Sequence, residues 1–411
     1  MQRRVTLRSR KGAAPITGGS IPLAFGEPEQ KTSLEAELRR FDPLRRRTVR
    51  KLVRTSDRMA DIVRTFPAVA HAIADPDPPN GDAISEAAKR IESGAPLKSV
   101  SASLGLPYWL RWLPPDAFRG ALPDLPDTPG FTRRIASRLP RHRRWAHPWM
   151  EHVAFANRAA GEQFALWVAE RPELITDRAP QQSLRVLALY AWASLPEHQD
   201  RFGLVRTRWR PSISTTLTLC AAISWLNRID LLSSLGEKPL VPWLQPGTSA
   251  GFEILPLLTA AEIMAEARAM SNCIDQYARP LASGACQLYS VRADGHPIAT
   301  LEVCPHAREH GVLAINQLKG LNNEAAPAAV WRAAWGWLSQ QPDRNLKVAS
   351  LERPEYVKNA ELWRELFALY HEQRPDAAWW PQSATRVMIE IMRDELRALA
   401  RSAGVVSWLF R

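Results

Sequence analysis

The chain has 411 residues, 45% of them apolar, and carries a net charge of +12 from 54 basic and 42 acidic side chains. That length fits two or three domains of about 100–200 residues each, and the apolar fraction excludes wholesale disorder and collagen-like repeats. No apolar run reaches the ~18 residues of a membrane span, the N-terminus lacks an apolar signal region, and the four cysteines form no C-x-x-C pair, which argues against a membrane protein, a disulfide scaffold and a zinc ribbon. The composition reads as that of a cytoplasmic, soluble protein. Residues 1–150 hold 27 basic and 15 acidic side chains, whereas residues 151–411 hold 27 of each. The whole excess therefore sits in the first part of the chain and points to a polyanionic partner.

Residues 1–31 are rich in Gly, Pro, Ser and Arg and read as a basic disordered arm. Residues 32–121 read as a basic helical region. From Ser33 the apolar period runs through Leu34, Leu38, Phe41, Leu44, Val49, Leu52 and Val53. Arg39, Arg40, Arg45, Arg46, Arg47, Arg50, Lys51 and Arg54 fill the remaining faces and are the expected phosphate contacts of a nucleic acid, with DNA favoured. A second helix is expected over 57–74, stopped by DPDPPNGD. Within 82–113, three short helical stretches with turns at Gly94 and Gly105–Pro107 resemble a helix-turn-helix. The competing reading is a structural triplet, because the third stretch offers Arg111 as its only strong base-edge donor.

After a Pro-rich link, residues 131–235 read as a helical domain, with tryptophans such as Trp167, Trp192 and Trp225 in its apolar stripes. Residues 236–258 are Pro-rich and carry no assigned element. Thr259 with Glu262 three residues on is a capping box, and the helix it opens is expected to run through Met270 and Cys273 to Tyr277. Three strand-like runs follow, ACQLYSVRAD, HPIATLEVCP and GVLAINQLKG, the first two joined by the hairpin dipeptide Asp294–Gly295. A Trp-rich helix over 326–340 and a short strand, LKVASL, complete an α+β module at 259–351, and residues 355–411 read as C-terminal helices. The expected fold is mostly α with a small α+β module near the C-terminus, ordered helix, three-stranded antiparallel meander, helix, short strand.

The densest motifs lie between Met270 and Asn323: MSNCIDQY, SGACQLYSVR, PIATLEV and INQLKGLNN. Together they resemble the PcfJ-like protein family at Cys273, Tyr277, Gly284, Ser290, Arg292, Thr300, Glu302, Gln317, Lys319, Gly320 and Asn323. The resemblance spans about a quarter of the chain. It implies a mobile-element or conjugative-transfer setting and DNA processing, without implying a reaction. Where the family usually carries His before the cysteine, this chain has Asn272.

Read on their own chemistry, the same residues allow three accounts. Glu302 with Gln317-x-Lys319 suits a metal-dependent nuclease, in which acidic oxygens hold Mg²⁺ and the lysine steadies the attacking water; Glu266, Asp275 or Asp294 would supply a further ligand. Mg²⁺ is expected only in that account. Cys273 suits a hydrolase nucleophile if His296, His306 or His310 serves as its base. In the third account Arg292, Glu302 and Gln317 form a cross-strand polar ladder, Asn323 caps the following helix, and Cys273 is buried against the sheet. Cys304 with His306 and His310 sketches a metal site short of a fourth ligand. The favoured reading is a nucleic-acid-associated accessory protein, with the nuclease, the Cys273 hydrolase and a protein-interaction scaffold as alternatives.

Overall fold

Pro67, Gly161 and Gly236 each mark a helix boundary of this chain. In the computed structural model the described residues are 33–76, 81–140, 142–198, 200, 202–236, 239–309, 311–342, 360–383 and 385–405. The arm expected over 1–31 and the strand expected over 346–351 lie outside them. The chain divides into two compact units, Met1–Leu122 with Asp127–Trp149, and Pro123–Pro126 with Met150–Arg411. No helix among the described residues is long and apolar enough to cross a membrane.

In the first unit, Asp42 caps the helix Pro43–Thr55 by accepting the Leu44 N–H at 2.9 Å, with Pro43 in the first turn where its missing N–H costs nothing. The single helix expected over 57–74 is two, Asp57–Thr65 and Pro67–Ile73. Pro67 is the cause: its ring forces Phe66 out of the helical region, to φ −150° and ψ 67°. Phe41, Val49, Ile62, Val63, Phe66, Val69, Trp109, Phe118 and Phe131 are buried and form the apolar interior of this unit. The helix-turn-helix reading is corrected here. Gly81–Glu92 and Leu97–Ser103 are helices, but the third stretch, Tyr108–Trp112, is a 3-10 turn. Its Trp109 and Leu110 are buried, and Arg111 donates to the Tyr108 hydroxyl. A five-residue turn anchored by its own tryptophan cannot enter a major groove as a recognition helix.

The second unit is built on the long helix Thr215–Leu235, opened by Ser214, which accepts the Leu217 N–H, and closed at Gly236, whose φ of 64° suits glycine. Arg393 from the helix Arg386–Ser402 donates to Asp230 at 2.5 Å and to Asn227 at 3.1 Å. Arg185 grips Glu395 of the same helix with two nitrogens at 2.7 and 2.8 Å. Two guanidinium forks thus dock the C-terminal helix, a geometry lysine would not reproduce.

The α+β module is as expected in kind but larger. Its sheet has five antiparallel strands in the order β1-β2-β3-β4-β5: β1 Gly247–Ser249, β2 Phe252–Pro256, β3 Gln287–Ala293, β4 His296–Pro305 and β5 Leu313–Lys319. The expected meander is β3 to β5. The added pair comes from the Pro-rich stretch left without an element. Its short strands turn at Ala250 and Gly251, with φ of 51° and 84°, and offer little alternation to read. Asp294 and Gly295, with φ of 50° and 77°, make the β3–β4 hairpin as expected.

One face of the sheet is apolar. Tyr289, Val291, Ala299, Leu301, Val303 and Leu318 pack with Val330, Ala334, Trp337 and Leu338 of the helix Ala328–Ser339. The rings of Tyr289 and Trp337 lie 5.0 Å apart. Gly336 allows the closest approach: a Cβ there would stand 2.6 Å from the Ser249 hydroxyl on β1.

Behind the other face, Arg228 and Asp275 meet at 3.2 Å, both nearly inaccessible. Arg228 also donates to the Leu204 carbonyl at 2.8 Å and to Ser224 at 2.9 Å, and Ser224 donates to Asp275 at 3.2 Å. Asp275→Ala strands the guanidinium without its counter-charge and should cost about 3–5 kcal/mol in urea unfolding. The double change Arg228→Met with Asp275→Leu should cost much less, because neither charge is then buried. Equal losses in both variants would show that the pair contributes through packing alone.

Candidate functional site

Alternation turns Ser290 and Arg292 of β3, and Thr300, Glu302 and Cys304 of β4, toward the face opposite Trp337. That face is covered by the helix Ala260–Ala269. Its expected capping box is present: Thr259 accepts the Glu262 N–H at 3.2 Å while Glu262 accepts the Thr259 N–H at 3.0 Å. The helix does not reach Tyr277. It ends at Met270, and Ser271 takes a φ of 48°. Cys273 then begins a 3-10 turn, Ile274–Gln276, followed by the helix Ala278–Ala282.

This break distributes the motif residues over two polar clusters. In the first, Asn272 donates to the Thr300 hydroxyl at 2.9 Å, and Thr300 donates to Glu266 at 3.1 Å. Ser290 also hydrogen-bonds Glu266, and Arg292 Nε donates to Ser290 at 3.1 Å. In the second, Glu302 accepts from Tyr277 at 3.0 Å, from Asn316 at 2.9 Å and from the Cys304 thiol at 3.2 Å. Burial raises the Tyr277 pKa, and the Glu302 charge raises it further, so the phenol stays a donor.

Gln317 stands opposite Glu302, and Lys319 opposite Thr300, in the strand register. The register slips between Glu302 and Val303, so that Asn316 is the extra residue of a β-bulge and Ile315 faces Val303. Ile315 therefore packs with the apolar core instead of sharing a face with Gln317 and Lys319, as unbroken alternation predicts. Both Gln317 and Lys319 are exposed, and it is Asn316, inside the run INQLKGLNN but not among the residues singled out above, that binds Glu302.

The nuclease arrangement is short of carboxylates. Asp275 is committed to Arg228, Asp294 sits in the β3–β4 turn, and Glu266 is held by Ser290 and Thr300. Among the described residues, no group of three or more His, Cys, Asp or Glu side chains could hold a metal ion. His306 accepts the N–H groups of Arg308 and Glu309 through its ring, and His310 lies outside the described residues.

Cys273 is exposed instead of buried against the sheet, because the helix ends before it. Its nearest polar partner is Asn323, whose amide approaches the sulfur at 3.9 Å. Asn323 therefore does not cap the next helix, a position held by Pro327. Asn322 and Asn323 take φ of 55° and 61°, and the Asn322 N–H donates to the Met270 carbonyl at 2.9 Å. Gly320 closes β5 by donating to the Glu324 carbonyl. The polar ladder expected of Arg292, Glu302 and Gln317 is replaced by the two clusters around Glu266 and Glu302.

The basic helix of the first unit sorts its cations. Arg45 is buried and paired with Asp75 at 2.7 Å. Arg40 holds Asp116 at 2.6 Å and Glu37 at 2.8 Å. Arg46 donates to the Phe41 carbonyl, Arg50 pairs with Glu35 at 2.6 Å, and Arg39 lies 3.9 Å from Glu35. Arg40, Arg45 and Arg46 are thus fold residues more than surface contacts. Arg47, Lys51 and Arg54 are exposed and pair with no described residue. Spaced i, i+4 and i+7, they share one helix face, with Arg50 beside them.

Comparison of the chain with protein-family models, with curated proteins and with solved structures yields no match.

Two measurements test this geometry. Burial raises the Glu266 carboxyl above its usual range, against hydrogen bonds from Ser290 and Thr300 and the Arg292 charge. A raised acid binds its proton more readily when folded, so its contribution is present at low pH and lost as pH rises through the folded-state value. Glu266→Gln should therefore gain stability relative to wild type as pH rises from the usual glutamate range, by at most about 1.4 kcal/mol per pH unit, and then level off. Urea unfolding of both proteins across that range reads the difference, and a pH-independent offset would contradict it. Second, iodoacetamide should alkylate exposed Cys273 in the native chain well before buried Cys286, as peptide mapping over time would record.

Proposed function

We propose that this chain is a nucleic-acid-associated accessory protein that holds a DNA phosphate backbone on the exposed face of the helix Pro43–Thr55. The observation that carries this reading is the stripe of Arg47, Lys51 and Arg54, three cations on one helix face with no described acidic partner. Phosphates fit such a stripe because each contact releases condensed counterions, a gain that internal ion pairs forgo. The charge excess confined to residues 1–150 supports the same assignment. The resemblance of the second unit's motifs to PcfJ-like proteins supports a DNA-processing setting.

The accessory role rests on Glu302. A carboxylate that already accepts from Tyr277, Asn316 and Cys304 is suited to holding a turn, a strand and a bulge together. A catalytic metal site needs more acidic oxygens than this face gathers.

Salt titration of duplex binding tests the proposal. Changing Arg47, Lys51 and Arg54 together to Ala should weaken binding equally across sequences and reduce the slope of log K against log salt by about 0.9 per side chain. An unchanged affinity and slope would remove the helix from the interface. Mg²⁺-dependent cleavage lost in Glu302→Gln would overturn the accessory role in favour of the nuclease.

A further inference from the structure

Cys286 and Cys304 confront each other across β3 and β4. The register Gln287↔Val303 and Leu288↔Glu302, continued one residue beyond β3, sets Cys286 opposite Cys304. The Leu288 carbonyl accepts the Leu257 N–H at 2.9 Å, so Leu288 turns its backbone groups toward β2 and away from β4. Cys286, two residues along, has the same phase. The cysteines therefore form a non-hydrogen-bonded pair, the type whose Cα atoms stand about 4.5 Å apart, within the range a disulfide spans. Their thiols are close enough to hydrogen-bond. Cys286 is buried, whereas Cys304 is half-exposed and donates to Glu302 at 3.2 Å.

We propose that Cys286 and Cys304 form a thiol–disulfide pair that takes a low-molecular-weight disulfide as its co-reactant. Cys304, the accessible member, gives its proton to the Glu302 carboxylate, and its sulfur attacks one sulfur of the incoming disulfide. One S–S bond breaks, a mixed disulfide forms on Cys304, and the released thiolate takes up the proton. Cys286 then loses its proton to solvent and attacks the Cys304 sulfur, expelling the second thiolate, which is protonated in turn. The two cysteine thiols are oxidised to one disulfide, and one small disulfide is reduced to two thiols. Cys286 suits the resolving role because it is buried directly opposite Cys304, shielded from the small disulfide and placed to attack once Cys304 carries the mixed disulfide. The product removes one of the three donors to Glu302 and leaves Tyr277 and Asn316. The pair is independent of the basic helix and stands whether or not that helix binds DNA.

The full chain incubated with oxidised glutathione, alkylated with iodoacetamide under denaturing conditions and digested without reduction gives a direct answer by peptide mapping. The expected product links the peptide carrying Cys286 to the one carrying Cys304, with complete loss of both free thiols, and forms faster in the native chain than in urea. In Cys286→Ser, Cys304 should stop at the glutathione mixed disulfide. Recovery of both cysteines alkylated in wild type would overturn the proposal, as would Cys304 glutathionylated beside a free Cys286, or faster linkage in urea.

Discussion

A sheet covered on both faces must satisfy every polar side chain it turns inward, because an unmade hydrogen bond there costs more than a made one contributes. Ser290, Thr300 and Glu302 are all buried under the helix Ala260–Ala269 or its extension. Each has partners, and those partners fix the rest of the module. Glu266 must project from the middle of the helix to meet Ser290 and Thr300. The chain must then leave the helix at Met270 so that Asn272 reaches Thr300 and Tyr277 reaches Glu302. An unbroken helix would carry those side chains round its axis and away from the sheet. The positive φ at Ser271 is the local cost of that exit.

The elements with a strong local signal were legible in the sequence. The capping box at Thr259, the Asp294–Gly295 hairpin and the alternation of β3 and β4 each depend on neighbours in the chain, and each stands where expected. What the sequence left unread depends on distant contacts. Nothing between Met270 and Tyr277 breaks a helix as proline would; the break answers to Thr300 and Glu302 on strands that follow. The bulge at Asn316 is equally silent, since the alternation of Ile315, Gln317 and Lys319 looks continuous until β4 supplies the register. By contrast, the break at Phe66–Pro67 was present in the sequence and lost beneath a favourable apolar period.

Charge was legible in total and illegible by residue. The eight cations between Arg39 and Arg54 look equivalent along the chain, yet Arg45, buried against Asp75, and Arg40, half-buried against Asp116 and Glu37, are already committed to internal partners. An ion pair as enclosed as Arg45–Asp75 trades desolvation against attraction, so it specifies how segments dock more than it adds stability. Exposed Arg47, Lys51 and Arg54 make no such trade.

The candidate site residues converge through other residues of the same motifs. Tyr277 ties Glu302 to the turn that follows the covering helix, and Cys273 in that same turn meets Asn323 of the turn after β5, whose left-handed backbone follows directly on that of Asn322. Asparagine enters this region more readily than other side-chain-bearing residues, and local hydrogen bonds hold it there. Here the Asn322 N–H on the Met270 carbonyl ties the turn after β5 to the end of the helix that covers the sheet. The motif residues are therefore spaced by the requirement that two chain turns lock against each other at one edge of the polar face. Glu302 lies inside that lock and Cys273 on its rim, so a change at the carboxylate is transmitted to the fold, while a change at the exposed thiol is not.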